Sequence, residues 1–331
     1  MSSTARLRPI IATSIGEPAG VGAEIVAKAW ATGEVHKLSR PVLIGSQHAM
    51  RRGMEIAGVR AELRVIGSLD DLSDRPEIID IMDSGALSAG DIITGKDTLA
   101  GGLASAKWMS EADALARSGK AAASVFAPIS SGSLKMANKL DAVMPINPGE
   151  SYLFLMSGPL RVMHLTDHMP LRKVCEVISE DLALSALQTL DATMRKWGVA
   201  APRIIVAGLN PHAMGQEEVK ALVPAVLKAR AAGINVEGPT SPDAVFRQCV
   251  EGKYDVVLAM YHDQGHIAIK TWGFSGNCAI IIGPPYLNMT VAHGTAYDIA
   301  GKGIADPKMM LSAMCTAASL AAGAGFIREP S

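Results

Sequence analysis

The chain has 331 residues, 49% of them hydrophobic and 19% charged, and a formal net charge of -1. That length and apolar share fit a well-buried α/β protein of one large domain or two ordinary ones. The near-neutral balance argues against a nucleic-acid or anionic-membrane partner, because either calls for a basic surplus.

Strand-like and helix-like runs alternate almost throughout. Pro9–Thr13 reads as a strand that leads through a Gly-rich turn into a helix over Glu24–Trp30. Pro41–Gly45 is a second strand, Gln47–Ala57 a helix, and Ile78–Met82 a third strand. Thr98–Ser118 is Ala-rich and helical, and the strand Ala122–Ala127 follows it. Leu160–His168 begins as a strand, Leu171–Trp197 has helical periodicity, and Arg203–His212 begins as another strand. Glu217–Ala232 is amphipathic, Tyr254–Tyr261 is a buried strand, and Met309–Phe326 is a packed helix broken by Ser, Thr and Gly. This alternation predicts an α/β protein with mostly parallel strands. Composition breaks after Ala127-Pro128 and near Thr271–Gly276 divide it into residues 1–127 plus 272–331 and residues 128–271, with a cleft between them.

Cys175, Cys249, Cys278 and Cys315 are widely spaced with no C-x-x-C, as expected of buried thiols in a reducing compartment. The first nine residues contain no apolar signal core, and no run is suited to cross a membrane. A cytoplasmic location is the expectation.

Three of the strand-like runs end in histidine: His168, His212 and His262. In open α/β sheets ligands gather where strands end, and neutral imidazoles there suit a divalent metal with coordination positions left for substrate. The spacing fits neither a zinc finger nor an H-E-x-x-H helix. Asp167 and Asp263 adjoin two of these histidines, placed to orient a ligand or transfer a proton, or simply to cap the turn. Gly16-Glu-Pro-Ala-Gly-Val-Gly-Ala-Glu-Ile25 follows the first strand and opens a helix, a position that suits a ligand-holding loop. It lacks the G-x-G-x-x-G spacing, which excludes the Rossmann fingerprint.

His293-Gly-Thr-Ala-Tyr-Asp-Ile-Ala-Gly-Lys-Gly-Ile-Ala-Asp-Pro307 resembles the segment that wraps the adenosine half of NAD in the isocitrate and isopropylmalate dehydrogenase superfamily. A closer resemblance is to the PdxA family, typified by 4-hydroxythreonine-4-phosphate dehydrogenase. Its G-D-P-A-G-I-G-P-E is echoed at Gly16–Glu24 and its T-x-H-x-P-L-R at Thr166–Arg172. G-L-N-P-H-A stands unaltered at Gly208–Ala213, and M-Y-H-D-Q-G at Met260–Gly265. The likeness spans nearly the whole chain in order.

That resemblance implies a homodimer of two α/β/α domains, isocitrate dehydrogenase-like rather than Rossmann, with the active site in the cleft. Residues 1–127 plus 272–331 would bind NAD, and residues 128–271 would hold metal and substrate and dimerise. It implies a zinc, magnesium, manganese or cobalt ion on His168, His212 and His262, one ligand coming from the partner subunit. The reaction implied is NAD-dependent oxidation of a secondary alcohol beside a carboxylated carbon, followed by loss of carbon dioxide. Lys270 and Asp243 match substrate-site positions of the family, and Asp263 joins them as a candidate catalytic group. Gly16, His293, Gly294, Thr295 and Asp298 are the cofactor candidates, and Asp298 at the ribose favours NAD over NADP.

Departures concentrate at the substrate's phosphate end. The family's G-H-T-E falls at Pro148-Gly-Glu-Ser151, so Gly149 and Glu150 stand where His and Thr belong. The A-P-[LV]-[NH]-K element reads Ala127-Pro-Ile-Ser-Ser131, and Ala279 and Asn288 replace an Asn and an Arg. A phosphate site needs donors and positive charge, so the expected substrate is a hydroxy acid or diol carboxylate without phosphate. The terephthalate dihydrodiol dehydrogenase branch resembles the chain in H-D-Q-G-H. The alternatives are a true 4-phosphohydroxythreonine or 4-phospho-threonate/erythronate dehydrogenase, with Lys135, Lys139 or Arg172 taking the phosphate, a phosphate acyltransferase, and a non-catalytic small-molecule sensor.

Overall fold

The computed structural model describes residues 8–143, 147–273 and 277–327. Two compact units are found, one of residues 1–145 and 285–322, the other of residues 146–284 and 323–331. The strands in chain order begin with β1 (Ile10–Ser14), β2 (Arg40–Ile44), β3 (Glu62–Val65), β4 (Ile78–Met82) and β5 (Ala123–Phe126). The second unit contributes β6 (Tyr152–Ser157), β7 (Leu160–His164), β8 (Ile204–Ala207), β9 (Val236–Thr240), β10 (Val256–Ala259) and β11 (Cys278–Ile282). The chain then returns to the first unit as β12 (Leu287–Val291).

In the first unit the strands run β3-β4-β2-β1-β5-β12, and every pairing among them is parallel. The inner strand β5 is buried along its whole length, as expected of a parallel sheet covered on both faces. Edge strand β3 instead carries Glu62 and Arg64 and is partly exposed, which blunts further pairing. Capping residues set the helix ends. Ser46 accepts from the His48 backbone N–H at the start of the Gln47–Ala57 helix, which ends on Gly58 at φ 65°. Thr98 likewise caps the Leu99–Arg117 helix by accepting from the Gly101 N–H.

The second unit has the order β11-β6-β7-β10-β8-β9. Here β7, β10, β8 and β9 are parallel, but β6 is antiparallel to both β7 and β11. The antiparallel pairs follow from the tight Gly158-Pro159 link between β6 and β7, with Gly158 at φ 54°. A turn that short joins only antiparallel strands. The periodic stretch from residue 171 to 197 is two helices, Leu171–Val177 and Glu180–Lys196. Extended Ser179 accepts from the Leu182 N–H and starts the second one. The amphipathic run after residue 217 opens with a π turn, Glu218–Leu222, before the Val223–Ala231 α-helix. Pro224 has no N–H to return to the preceding turn, which accounts for the wider winding.

The core of this unit joins Leu155, Val162, Ile205 and Val257 from the sheet to Val245, Cys249 and Ile269 from its helices. Because β7, β10 and β8 are parallel neighbours, their carboxyl ends open on one edge of the sheet. The histidines follow those ends.

Candidate metal and cofactor sites

Strand β10 gives way at Tyr261, in extended conformation, to the helix His262–Trp272. His262 Nδ1 lies 2.7 Å from Asp263 Oδ1. One turn later His266 stacks on it with ring centroids 3.6 Å apart, and the His266 Nδ1 is 3.1 Å from the His262 carbonyl. Past β7, His168 Nδ1 lies 2.9 Å from Asp167 Oδ2, and His164, at the end of β7, places Nδ1 3.0 Å from the Leu153 carbonyl. Carbonyl and carboxylate oxygens only accept, so each Nδ1 carries its proton and each Nε2 presents a lone pair. Carboxylate-backed imidazoles of this kind are common metal ligands.

His168 and His262 face one another at 4.6 Å between centroids. Donor atoms of Asp167, His168 and His262 all lie within 4.8 Å of one another. Asp167 Oδ1 is buried with no hydrogen-bond partner, an orphaned acceptor beside two nitrogen donors, and the set fits a divalent cation. Burial would raise the Asp167 carboxyl, but the hydrogen bond and charge of His168 hold it below its usual value. The same bond to Asp167 raises His168. Burial drives His164 down to about 4 and His266 down to about 3, so both rings are neutral near pH 7.

His212 lies apart from that donor group. It stands in the Pro211–Ala213 turn beyond β8, in left-handed conformation at φ 56°, with Nδ1 3.3 Å from Ser241 Oγ. A non-glycine residue in that region needs support from its surroundings, and buried Glu218 supplies it. Glu218 Oε1 accepts from the backbone N–H of Leu209 at 2.7 Å and of Asn210 at 2.8 Å. Its Oε2 accepts from Asn210 Nδ2 at 2.8 Å. His212, Asp243, Phe246 and Gln264 line one depression, and His168, Leu171 and Val174 line another; Tyr261 and Asp263 border both. Asp243 and Lys270 are exposed, and Lys270 adds positive charge near His266.

The cofactor candidates gather in the first unit. Gly16 has φ +70°, and a Cβ there would fall 2.3 Å from the Pro128 carbonyl, so the loop after β1 tolerates only glycine at that point. The Val21 N–H donates to the Thr295 carbonyl at 3.1 Å, which lays the Gly-rich loop against the run that starts at His293. Lys28 Nζ donates to the carbonyls of Gly303 at 2.9 Å and Ala305 at 2.8 Å. Asp298 and Gly294 are exposed on this run. A ligand held there would meet backbone, one imidazole and one carboxylate.

At the altered positions, Glu150 is exposed in the turn before β6, 3.4 Å from Asn147 Nδ2. Ala279 lies on β11 opposite Leu155, and Asn288 donates to Asp113 Oδ1 at 2.9 Å. Three contributors escape the sequence reading: His164, His266 and Glu218. The four-residue spacing of His262 and His266 on one helix was the available signal for His266. Glu218 had none, since its role depends on backbone N–H groups.

Against known proteins, residues 37–317 match the family model described as pyridoxal phosphate biosynthetic protein PdxA. A provisionally named 4-hydroxythreonine-4-phosphate dehydrogenase of Novosphingobium aromaticivorans is 58% identical over 325 residues, 98% of each chain. A crystal structure of 4-hydroxythreonine-4-phosphate dehydrogenase from Klebsiella pneumoniae superposes with TM-score 0.81 at 35% identity, covering 95% of this chain and 99% of that one. A terephthalate 1,2-cis-dihydrodiol dehydrogenase from Burkholderia xenovorans gives TM-score 0.66 at 29% identity, covering 92% and 95%. The shared designation as dehydrogenases supports an oxidoreductase. With matched motifs, fold and length in agreement, the chain belongs to the PdxA family.

Proposed function

We propose that this protein is a metal-dependent, NAD-linked dehydrogenase that oxidises a secondary alcohol beside a carboxylated carbon, with decarboxylation after it. The observation that carries the reading is the grouping of Asp167, His168 and His262 at the ends of two neighbouring parallel strands. His168, His212 and His262 hold the divalent ion, one of them contributed by the partner subunit of a homodimer. Bound there, a divalent ion would supply Lewis acidity toward the substrate's oxygens, and NAD would supply the hydride acceptor.

The chain's own residues do the rest. Asp167 and Asp263 fix the tautomers of His168 and His262 and leave each Nε2 free toward the ion. Lys270 supplies positive charge toward the substrate carboxylate, and Asp243 and Asp263 are the groups placed to accept or return a proton. His293, Gly294, Thr295 and Asp298, with the loop at Gly16, hold the dinucleotide. Exposed apolar side chains around the histidines, Leu171 at 55%, Met214 at 83%, Ile267 at 66% and Trp272 at 51%, support a subunit interface there. Among the described residues no helix is long and apolar enough to cross a membrane, and the proposed compartment is the cytoplasm.

The proposed substrate is a hydroxy acid or cyclic diol carboxylate without a phosphate. Glu150 carries a negative charge where the family pattern has donors, and a dianion there would be repelled. The competing reading, a phosphorylated 4-hydroxythreonine, draws on the name of the Novosphingobium relative. NADH formation separates them when the metal-loaded protein is offered 4-phosphohydroxythreonine and a panel of diol and hydroxy carboxylates. Efficient turnover of the phosphorylated compound alone overturns the phosphate-free reading.

A further inference from the structure

The Glu17–Ser133 region of the first unit contains a knot of polar side chains that the proposed chemistry does not use. Asp97 precedes the Leu99–Arg117 helix, and its Oδ1 accepts from the Tyr297 hydroxyl at 2.7 Å and from Ser133 Oγ at 3.3 Å. The same oxygen accepts from Ser130 Oγ. Ser130 Oγ in turn accepts from the backbone N–H groups of Gly132 at 3.1 Å and Ser133 at 3.2 Å, the cap of the Ser131–Met136 helix. Gly132 allows the approach, since a Cβ there would stand 2.0 Å from Asp97 Oδ2.

Tyr297 is the fifth residue of the run that begins at His293, between Thr295 and Asp298. Its backbone also passes close to Gly95, where a Cβ would lie 3.2 Å from the Tyr297 carbonyl, and the Gly95 N–H itself donates to the Ala19 carbonyl at 2.9 Å. The residue after Thr295, Ala296, has φ 47°, a conformation an isolated loop would not favour. The run therefore needs an anchor on each side of its turn. The Thr295 carbonyl to Val21 N–H bond is one, and the Tyr297 hydroxyl is the other.

We propose that Asp97 is a positioning residue for the dinucleotide, acting through Tyr297 to hold Thr295 and Asp298 in binding geometry. This rests on the reading of the His293–Asp298 run as the NAD site. The partners keep fixed roles across working pH. Burial first of all raises Tyr297 to about 12, so it stays a donor. The Ser130 hydroxyl foremost, then Tyr297, holds Asp97 below its usual value, so it stays a charge-bearing acceptor. A hydrogen bond to a charged group is stronger than a neutral one, and its loss in a preorganised loop corresponds to about tenfold in affinity.

The test compares wild type with Tyr297→Phe, Asp97→Ala and Asp97→Asn. Calorimetry gives the NAD affinity, and hydrogen exchange over residues 293–300 is followed in protein without NAD. Expected are about tenfold weaker NAD binding and a matching rise in its KM for Tyr297→Phe and Asp97→Ala, with kcat at saturating NAD little changed. Asp97→Asn, which keeps Oδ1 as an acceptor, should recover part of the affinity. Exchange should quicken in the weakened variants before any cofactor is added. If wild type binds NAD and the variants bind it equally well, the positioning role is overturned while the cofactor reading survives. If wild type fails to bind NAD, that reading falls and the positioning role with it.

Discussion

His262 and Asp263 are chain neighbours whose side chains fold back on each other, with Nδ1 2.7 Å from Oδ1 at the first turn of the helix. The hydrogen bond from His262 is the main reason the Asp263 carboxyl is held below its usual range. A carboxylate in that place raises the basicity of the imidazole and fixes Nε2 as its free nitrogen. Asp263→Asn should therefore weaken metal binding about 10- to 100-fold with little change in fold stability. Competition of the variant and wild type against a chelating dye for zinc or cobalt measures this. Equal affinities would remove Asp263 from the site.

Fully buried Glu17 gives a prediction about pH. Burial is the leading cause that lifts its carboxyl above the ordinary 4.5, and nearby Asp97 adds to the lift. A carboxyl raised in the folded state contributes stability that is complete below 4.5 and lost as pH rises through its folded value. Glu17→Gln keeps the shape and removes the charge. The variant should match wild type near about pH 4 and gain on it toward about pH 8, by about 1.4 kcal/mol for each pH unit of displacement. Thermal melts across that range read the crossover, and a variant that loses ground with rising pH contradicts the account.

Much of the framework was legible because single strands and helices obey local rules. The helix over Gln47–Ala57 and the strand over Ile78–Met82 appear within the bounds that periodicity gave. The histidines at the exits of β7 and β10 were equally visible, since a buried apolar run that turns polar marks its own end. Strand β6 was not read, and the expectation of mostly parallel strands missed its direction: the short link at Gly158 makes it antiparallel to β7. The Leu171–Trp197 stretch concealed a break at Ser179 because its apolar spacing continues through the cap. Nor does any spacing rule report that the Asp167 carboxylate groups with His168 and His262, or that Tyr297 reaches Asp97 across 200 residues. Such contacts arise from three-dimensional packing, which local periodicity does not encode.

Glu218 predicts a loss at a distance from the chemistry. Burial alone would raise its carboxyl, yet hydrogen bonds from Asn210 and from backbone N–H groups hold it below 4.5. Its contribution is complete above 4.5 and fades as pH falls through the depressed folded value. Glu218→Ala strands the N–H groups of Leu209 and Asn210, at a cost of about 1–3 kcal/mol. It also frees the turn that holds His212 in its left-handed conformation. Denaturation should show the stability loss, and turnover should fall further than stability alone explains. A variant that is less stable but fully active would dissociate the turn from catalysis.

Gly265 offers the sharpest steric test of the histidine cluster. A Cβ at this position would fall 2.3 Å from His164 Nε2 and 2.8 Å from Val162 Cγ1. His164 is buried and held through Nδ1 by the Leu153 carbonyl, and Val162 belongs to the sheet core. Either the His164 ring or the helix must shift, and His262 stands three residues from Gly265 on that same helix. Gly265→Ala should cost about 1–3 kcal/mol by overpacking and lower metal affinity together with it. The double change His164→Ala, Gly265→Ala removes the Nε2 obstacle and should recover metal affinity in part. Metal titrations of the two variants side by side decide the matter: an unimpaired Gly265→Ala, or a double variant no better than the single, would mean that the spacing between His164 and the helix does not control where His262 stands.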